Sequence, residues 1–332
     1  VIAGYRMTIS LKTMLYTLVI SNVLLLGYLV LLRNMTYGII LYFYSLTFLN
    51  YYWRIILPGR WPDIDIPRLL FVFIWLVFLL ELMMGERRLL PRTRIETAML
   101  ALVAAILLSM FTLGRAEIRQ FLNGYAIPYA MFVIGKNVFS KREDISRFLM
   151  LFAVPLSLYF PLNGIFEHYN IEKLIFPKYI LNPNVGYKFS GWGGRAMGVF
   201  LQPVATGSAM VMIYVLAMYT LRKFRGFLPR LYELVISVLT PIAVFFTYTR
   251  SVYLGYFSAM VILSLFSRKL RLVGTTVVVA IFLAAVANWS NVTSGDREVG
   301  GLAAKETTIT RLVLFKVTME LVKDYPFFGI GF

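Results

Sequence analysis

The chain of 332 residues contains no cysteine and only one histidine, His168. The lack of cysteine excludes disulfide bonds within the chain and thiolate-bound metals, and a single histidine excludes a histidine-rich metal site. Charged residues make up only 15% of the sequence, whereas soluble domains have about 25%. Acidic residues are fewer than basic residues, with 16 Asp and Glu against 33 Lys and Arg.

Hydrophobic residues fill 59% of the sequence, and the mean hydropathy is +0.75. Since a membrane-spanning helix needs about 20 apolar residues, these values predict an all-α polytopic membrane protein. We expect about ten transmembrane helices. Gln120–Ile134 is short and contains Pro128, so it is either a span or a re-entrant segment. The ten candidate spans are Met14–Leu32, Met35–Trp53, Leu69–Met84, Thr97–Gly114, Gln120–Ile134, Phe148–Phe166, Val204–Leu221, Leu231–Thr249, Ser251–Ser267 and Leu272–Asn288.

Basic residues in the short connections predict the orientation of these spans. With ten spans, five basic connections fall on one side, which is cytoplasmic by the positive-inside rule. They contain Arg33; Arg87, Arg88, Arg92 and Arg94; Lys136, Lys141, Arg142 and Arg147; Arg222, Lys223, Arg225 and Arg230; and Arg268, Lys269 and Arg271. The net charge of +17 therefore indicates topology and contact with anionic lipid rather than nucleic-acid binding.

Two long connections, 167–202 and 289–332, fall on the opposite, extracytoplasmic side. Long loops on a spanning scaffold are where a substrate site is expected. We divide the chain into a transmembrane bundle, 1–288, which includes the loop 167–202, and an extracytoplasmic loop, 289–332. The chain stops in a loop at Phe332, and we expect the natural protein to continue beyond it.

The last stretch has a helical pattern followed by a sharp break. Uninterrupted helix-compatible residues predict a short amphipathic helix, 310–323, and Pro326 ends it. Arg311 falls on the apolar side of this helix, near Phe315, where a guanidinium needs a partner. The alternative is an arginine that snorkels from the start of the helix.

This combination of residues resembles the signature loop of the O-antigen ligase and polymerase superfamily, which are membrane glycosyltransferases that use lipid-linked oligosaccharides. The matching positions run from 311 to 331 and are Arg311, Phe315, Asp324, Pro326, Gly329 and Gly331. The resemblance implies that Arg311 binds the diphosphate of the lipid carrier and that the glycines shape the loop.

Two further arginines resemble motifs of the same superfamily. Arg195 begins Arg-Ala-Met-Gly198, which resembles an Arg-x-x-Gly stretch before a span, and Arg250 lies in Thr249-Arg250-Ser251 between two spans. A guanidinium stays charged and binds phosphate oxygens bidentately, so both arginines are candidate diphosphate ligands. The alternatives are a plain interfacial anchor for Arg250 and an ordinary turn residue for Arg195.

A glycan transferase also needs a base that deprotonates the acceptor hydroxyl. The candidates on the extracytoplasmic side are His168, Glu167 and Asp324, and none has a stronger claim than an interfacial or surface role. In the ligase branch of the superfamily a histidine follows the Gly-x-Gly turn. The sequence ends before that segment, so the base is not assigned.

The resemblance implies transfer of an oligosaccharide from polyprenyl (undecaprenyl) diphosphate to an acceptor hydroxyl at the extracytoplasmic face of a bacterial inner membrane. The acceptor is a lipid A core, a lipid-linked glycan or a protein, and the reaction is expected to need neither a metal nor another cofactor. One alternative is a transporter or flippase for lipid-linked or anionic solutes, although internal repeats and midplane charges are lacking. A purely structural membrane subunit is a further alternative.

Overall fold

The computed structural model describes residues 34–49, 54–55, 64–112, 118–181, 195–266 and 305–325. The chain divides into two compact units. The N-terminal unit comprises Val1–Ala104 and Glu117–Asp144, and the C-terminal unit comprises Ala105–Ala116 and Ile145–Phe332.

Almost all of the described chain is helical. The helices are α1 (Met35–Phe48), α2 (Ile66–Met83), α3 (Arg94–Thr112), α4 (118–138), α5 (Arg142–His168), α6 (Pro203–Leu221), α7 (Phe227–Phe246), α8 (Arg250–Phe266) and α9 (Lys305–Asp324), with a 3-10 turn at Lys178–Leu181. A two-residue antiparallel pair, β1 (Arg54–Ile55) and β2 (Ile64–Asp65), precedes α2.

Four of these helices are long and apolar enough to cross a membrane: α2, α5, α6 and α7. They support the all-α polytopic class, and they coincide with four of the predicted spans. The count of about ten spans stays a prediction, because the candidate spans Met14–Leu32 and Leu272–Asn288 lie outside the described residues. The helix predicted at 310–323 lies within α9, which begins at Lys305.

Polar contacts fix the helix ends of the N-terminal unit. Asp65 caps α2, because its carboxylate accepts a hydrogen bond from the Arg68 backbone N–H at 2.9 Å and pairs with the Arg68 guanidinium at 2.7 Å. Lys136 in α4 donates to the buried Glu96 carboxylate at the start of α3. This bond lowers the pKa of Glu96.

Two helices carry a π-helical turn just before a proline. In α4 the turn is Leu122–Ala126, two residues before Pro128, and in α5 it is Leu149–Ala153, two residues before Pro155. A proline has no N–H to donate to the carbonyl four residues earlier, so the hydrogen-bond pattern shifts by one residue. Helical structure therefore runs without interruption from 118 to 138, through the region predicted as either a short span or a re-entrant segment.

Close helix packing builds the core of the C-terminal unit. The second half of α5 packs against α6 and α7, and α6 also packs against α8. Small residues permit this approach: a Cβ atom added to Gly207 in α6 would lie 2.6 Å from Cγ1 and 2.8 Å from Cγ2 of Val252 in α8. The tight α6–α8 contact fixes the start of α8, where the candidate residue Arg250 lies.

We expect Gly207→Ala to destabilise the protein by about 1–3 kcal/mol, because the new methyl group overpacks against the stiff, β-branched Val252. Gly255→Ala in α8 is the matched control, since a Cβ atom there meets no atom within 4 Å. The measurement is the thermal unfolding midpoint in detergent. Equal midpoints for the two variants would contradict the close approach of α6 and α8.

Candidate functional site

One end of the helices in the C-terminal unit carries a group of polar and aromatic residues. Here α5 ends at His168, α6 begins at Pro203, α7 ends at Phe246 and α8 begins at Arg250. The loop 195–202 joins these helix ends. We call the short segment Arg195-Ala-Met-Gly198 within it the arginine turn.

The arginine turn is held by backbone hydrogen bonds to its surroundings. The Ala196 N–H donates to the Phe246 carbonyl at 3.0 Å, and the Gln202 N–H donates to the Met197 carbonyl at 3.2 Å. The Thr206 hydroxyl in the first turn of α6 also donates to the Met197 carbonyl. These bonds satisfy the polar groups of a non-helical segment at the end of a helix bundle.

Gly198 is a position that only glycine fits. Its φ is +60°, and an added Cβ atom would lie 2.5 Å from Cγ2 of Thr206. The left-handed conformation turns the chain from Arg195 towards α6. The glycine of the Arg-x-x-Gly pattern therefore has a geometric role.

The carboxylate of Glu167, near the end of α5, also binds the arginine turn. Its Oε2 accepts from the N–H of Met197 at 2.8 Å and from the N–H of Gly198 at 2.9 Å. Its Oε1 accepts from Gly198 at 3.1 Å and from the Asn163 side-chain amide at 2.6 Å. The Asn163 carbonyl oxygen in turn accepts from the Phe176 N–H at 3.0 Å.

Arg195 is oriented by the chain that leads into α8. Nη2 of its guanidinium donates to the backbone carbonyl of Tyr248. Tyr248 has a φ of +46°, an uncommon conformation for a non-glycine residue. The next residue, Thr249, caps α8 through its carbonyl, which accepts from the N–H groups of Val252 and Tyr253 at 3.1 Å.

The start of α8 is thus bonded to the arginine turn. Arg250 is the first residue of α8, and both Arg195 and Arg250 are partly buried. Although they are 55 positions apart in the sequence, the bond from Arg195 to Tyr248 brings their chain segments together. Two of the three predicted diphosphate ligands therefore lie in adjacent segments.

His168 lies in an aromatic cluster at the same end. Its ring stacks on Phe246 with centroids 3.8 Å apart and an interplanar angle of 8°, and Tyr169 contacts both rings edge-on. The imidazole of His168 therefore packs against other aromatic rings, and it is also a candidate for the base. The Tyr169 side chain is 63% exposed, so the cluster reaches the surface.

The other predicted site residues belong to α9 and the stretch that follows it in the sequence. Arg311 lies in α9, but its side chain is outside the described residues, as are Pro326, Gly329 and Gly331 of the loop motif. Asp324 is the last residue of α9 and is exposed. In α9 every described side chain except Leu321 is exposed.

From the sequence, Glu167 is predicted only as a candidate base, and no pattern connects it with the arginine turn. The structure gives it three N–H donors, two of them backbone groups, so it acts as an anchor for that turn. The available signal was a carboxylate at the end of an apolar helix, where an ionised group needs partners. The two backbone partners are about 30 residues away, and the sequence does not reveal them.

The C-terminal part of the chain matches the model of a known protein family. Residues 234–332 match the family model described as O-antigen ligase. The matched region contains Arg250, Arg311 and the complete loop motif, and it leaves out Arg195 and His168. The comparisons with curated proteins and with solved structures found no match. The match of residues 234–332 confirms the resemblance of this chain to the O-antigen ligase and polymerase superfamily.

Proposed function

We propose that this protein transfers an oligosaccharide from a polyprenyl diphosphate carrier to an acceptor hydroxyl at the extracytoplasmic face of a bacterial inner membrane. The observation that carries the proposal is the O-antigen ligase match over residues 234–332. Glycan transfer by a membrane ligase or polymerase is what that family implies. The match gives no support to the transporter alternative.

The chemistry moves a glycosyl group between two oxygen atoms. The acceptor oxygen bonds to the anomeric carbon, the bond from that carbon to the diphosphate breaks, and the acceptor proton passes to a base. Negative charge grows on the departing diphosphate during this step. Fixed guanidinium groups directed at those oxygens stabilise the transition state more than the ground state.

The geometry around Arg195 and Arg250 suits that charge. Arg250 is the first residue of α8, and the partial positive charge of a helix N-terminus repels a cation. A guanidinium there makes the helix start still more attractive to an anion. A guanidinium has five N–H donors, so Arg195 can be anchored to the Tyr248 carbonyl and still contact phosphate oxygens.

Charge distribution along the helices supports an extracytoplasmic site. The connection between α6 and α7 contains the exposed residues Arg222, Lys223 and Arg225, and the exposed Arg230 follows in the first turn of α7. It lies at the opposite ends of α6 and α7 from the arginine turn, because the turn precedes α6 and bonds to the end of α7. By the positive-inside rule the basic connection is cytoplasmic, and the arginine turn is then outside.

The finer assignments follow from the same proposal. Arg195, Arg250 and Arg311 bind the diphosphate, and the loop with Asp324, Pro326, Gly329 and Gly331 covers the site. The acceptor is a lipid A core, a lipid-linked glycan or a protein, and no metal or other cofactor takes part. Since both oxygens of Glu167 already accept N–H groups, His168 is the better placed candidate for the base.

We expect replacement of Arg250 or Arg311 by Ala to lower turnover by about 10²–10³-fold, because each removes a charged donor from the developing diphosphate. Lysine at either position should restore only part of the rate, since an ammonium does not reproduce bidentate binding. The assay is product formation in proteoliposomes from a defined polyprenyl diphosphate oligosaccharide. Arg225→Ala, in the exposed basic connection, is the control and should retain full turnover. Wild-type rates in the Arg250 and Arg311 variants would refute the assigned roles.

Labelling of introduced cysteines tests the side of the membrane, and the native chain adds no background because it contains no cysteine. We expect a membrane-impermeant thiol reagent to label Tyr169→Cys in intact spheroplasts and to label Lys223→Cys only after lysis. Both positions are exposed and lie at opposite ends of the helices in the C-terminal unit. The reverse pattern would put the arginine turn in the cytoplasm and exclude transfer on the outer face.

A further inference from the structure

We propose that Glu167 is a positioning residue, whose carboxylate holds the arginine turn so that the guanidinium of Arg195 faces the start of α8. This inference rests on the proposed function, because it takes Arg195 as a ligand of the carrier diphosphate. It adds a residue that lies outside the region 234–332 matched by the family model. It also gives the carboxylate a role other than that of a base.

The carboxylate contacts the turn at the N–H groups of its last two residues, Met197 and Gly198. Met197 and Gly198 donate to Oε2 at 2.8 and 2.9 Å, and Gly198 is also 3.1 Å from Oε1. Consecutive backbone N–H groups that converge on one anion fix the local conformation. Arg195 lies two residues before Met197, so the direction of its side chain depends on this anchor.

The turn is also fixed by the end of α7 and the residues that follow it. The Ala196 N–H donates to the Phe246 carbonyl at 3.0 Å, and the Arg195 guanidinium donates to the Tyr248 carbonyl. Glu167 in α5 and the end of α7 therefore both hold the turn. Without Glu167, the N–H groups of Met197 and Gly198 lose their acceptor, and the bonds that remain are those to the 246–248 segment and to the Met197 carbonyl. The 246–248 segment itself has a strained residue, Tyr248.

The site requires a carboxylate rather than an amide. All three groups that face Glu167 are N–H donors, and a carboxylate offers only acceptors. A glutamine at 167 would place an NH₂ group against one of these donors. Asn163 cannot rotate its amide to compensate, because its carbonyl oxygen already accepts from the Phe176 N–H at 3.0 Å.

The same contacts argue against proton transfer by Glu167. Each of its oxygens accepts two N–H contacts, which occupies the roughly four acceptor positions of a carboxylate. A general base must be within hydrogen-bond reach of the proton that it removes. Glu167 therefore acts on the reaction through Arg195.

Hydrogen exchange tests the anchor without reference to activity. The full chain in detergent is compared with Glu167→Gln and with Glu172→Gln, a matched change at an exposed carboxylate in the connection that follows α5. We expect the amides of Met197 and Gly198 to exchange at least tenfold faster in Glu167→Gln alone. Unchanged exchange at these two amides would overturn the proposal.

Turnover in proteoliposomes tests the action through Arg195. We expect Glu167→Gln to lower kcat at least tenfold with little change in the KM for the polyprenyl diphosphate oligosaccharide, and Glu167→Asp to recover part of the rate. In an Arg195→Ala background, Glu167→Gln should cause no further loss, because the group that it positions is already absent. Independent, multiplying losses would overturn the proposal, as would loss of the acidic limb of the pH profile in Glu167→Gln.

Protein folding and the proposed function are checked separately. Membrane insertion and the unfolding midpoint of each variant must match wild type, and Glu167→Asp replaces Glu167→Gln in every arm if the latter does not insert. If wild type forms no product with any acceptor, the proposed function is wrong. The exchange experiment then still decides whether Glu167 holds the arginine turn.

Discussion

The contact between the Glu167 carboxylate and the N–H groups of Met197 and Gly198 connects the parts of the candidate site. It joins the end of α5 to a non-helical turn, which is bonded in turn to the end of α7 and to the first turn of α6. Irregular backbone at the end of a membrane helix bundle needs partners for each of its polar groups. Here one partly buried network supplies those partners and gives Arg195 a defined direction.

The helices of the C-terminal unit separate two uses of positive charge. Exposed basic residues between α6 and α7 are the ones from which the positive-inside rule predicts the orientation in the membrane. Arg195 and Arg250 lie at the other ends, partly buried and joined through the backbone of Tyr248. Charges that are not needed for topology and that are held by specific hydrogen bonds are the ones that suit an anionic substrate. This separation makes the diphosphate assignment physically reasonable for a protein with an O-antigen ligase match.

Sequence patterns predicted some features of the fold well and others incompletely. Apolar length and composition located α2, α5, α6 and α7, because the bilayer demands about 20 apolar residues from any spanning helix. The same reasoning left the segment around Pro128 open between a span and a re-entrant loop. A π-helical turn accommodates that proline and keeps 118–138 helical. Such a shift of the hydrogen-bond pattern leaves no clear trace in hydrophobic periodicity.

The sequence by itself determined the family resemblance and marked Arg195, Arg250 and Arg311 as candidate ligands, since those features are local patterns of a few residues. It did not determine the role of Glu167, whose backbone partners are 30 and 31 positions away, nor the bond from Arg195 to Tyr248, which spans 53 positions. His168 likewise stood out as the single histidine, whereas its stacking on Phe246 depends on how α5 packs against α7. Helix packing decided these contacts, because it alone brings distant backbone groups to hydrogen-bond distance.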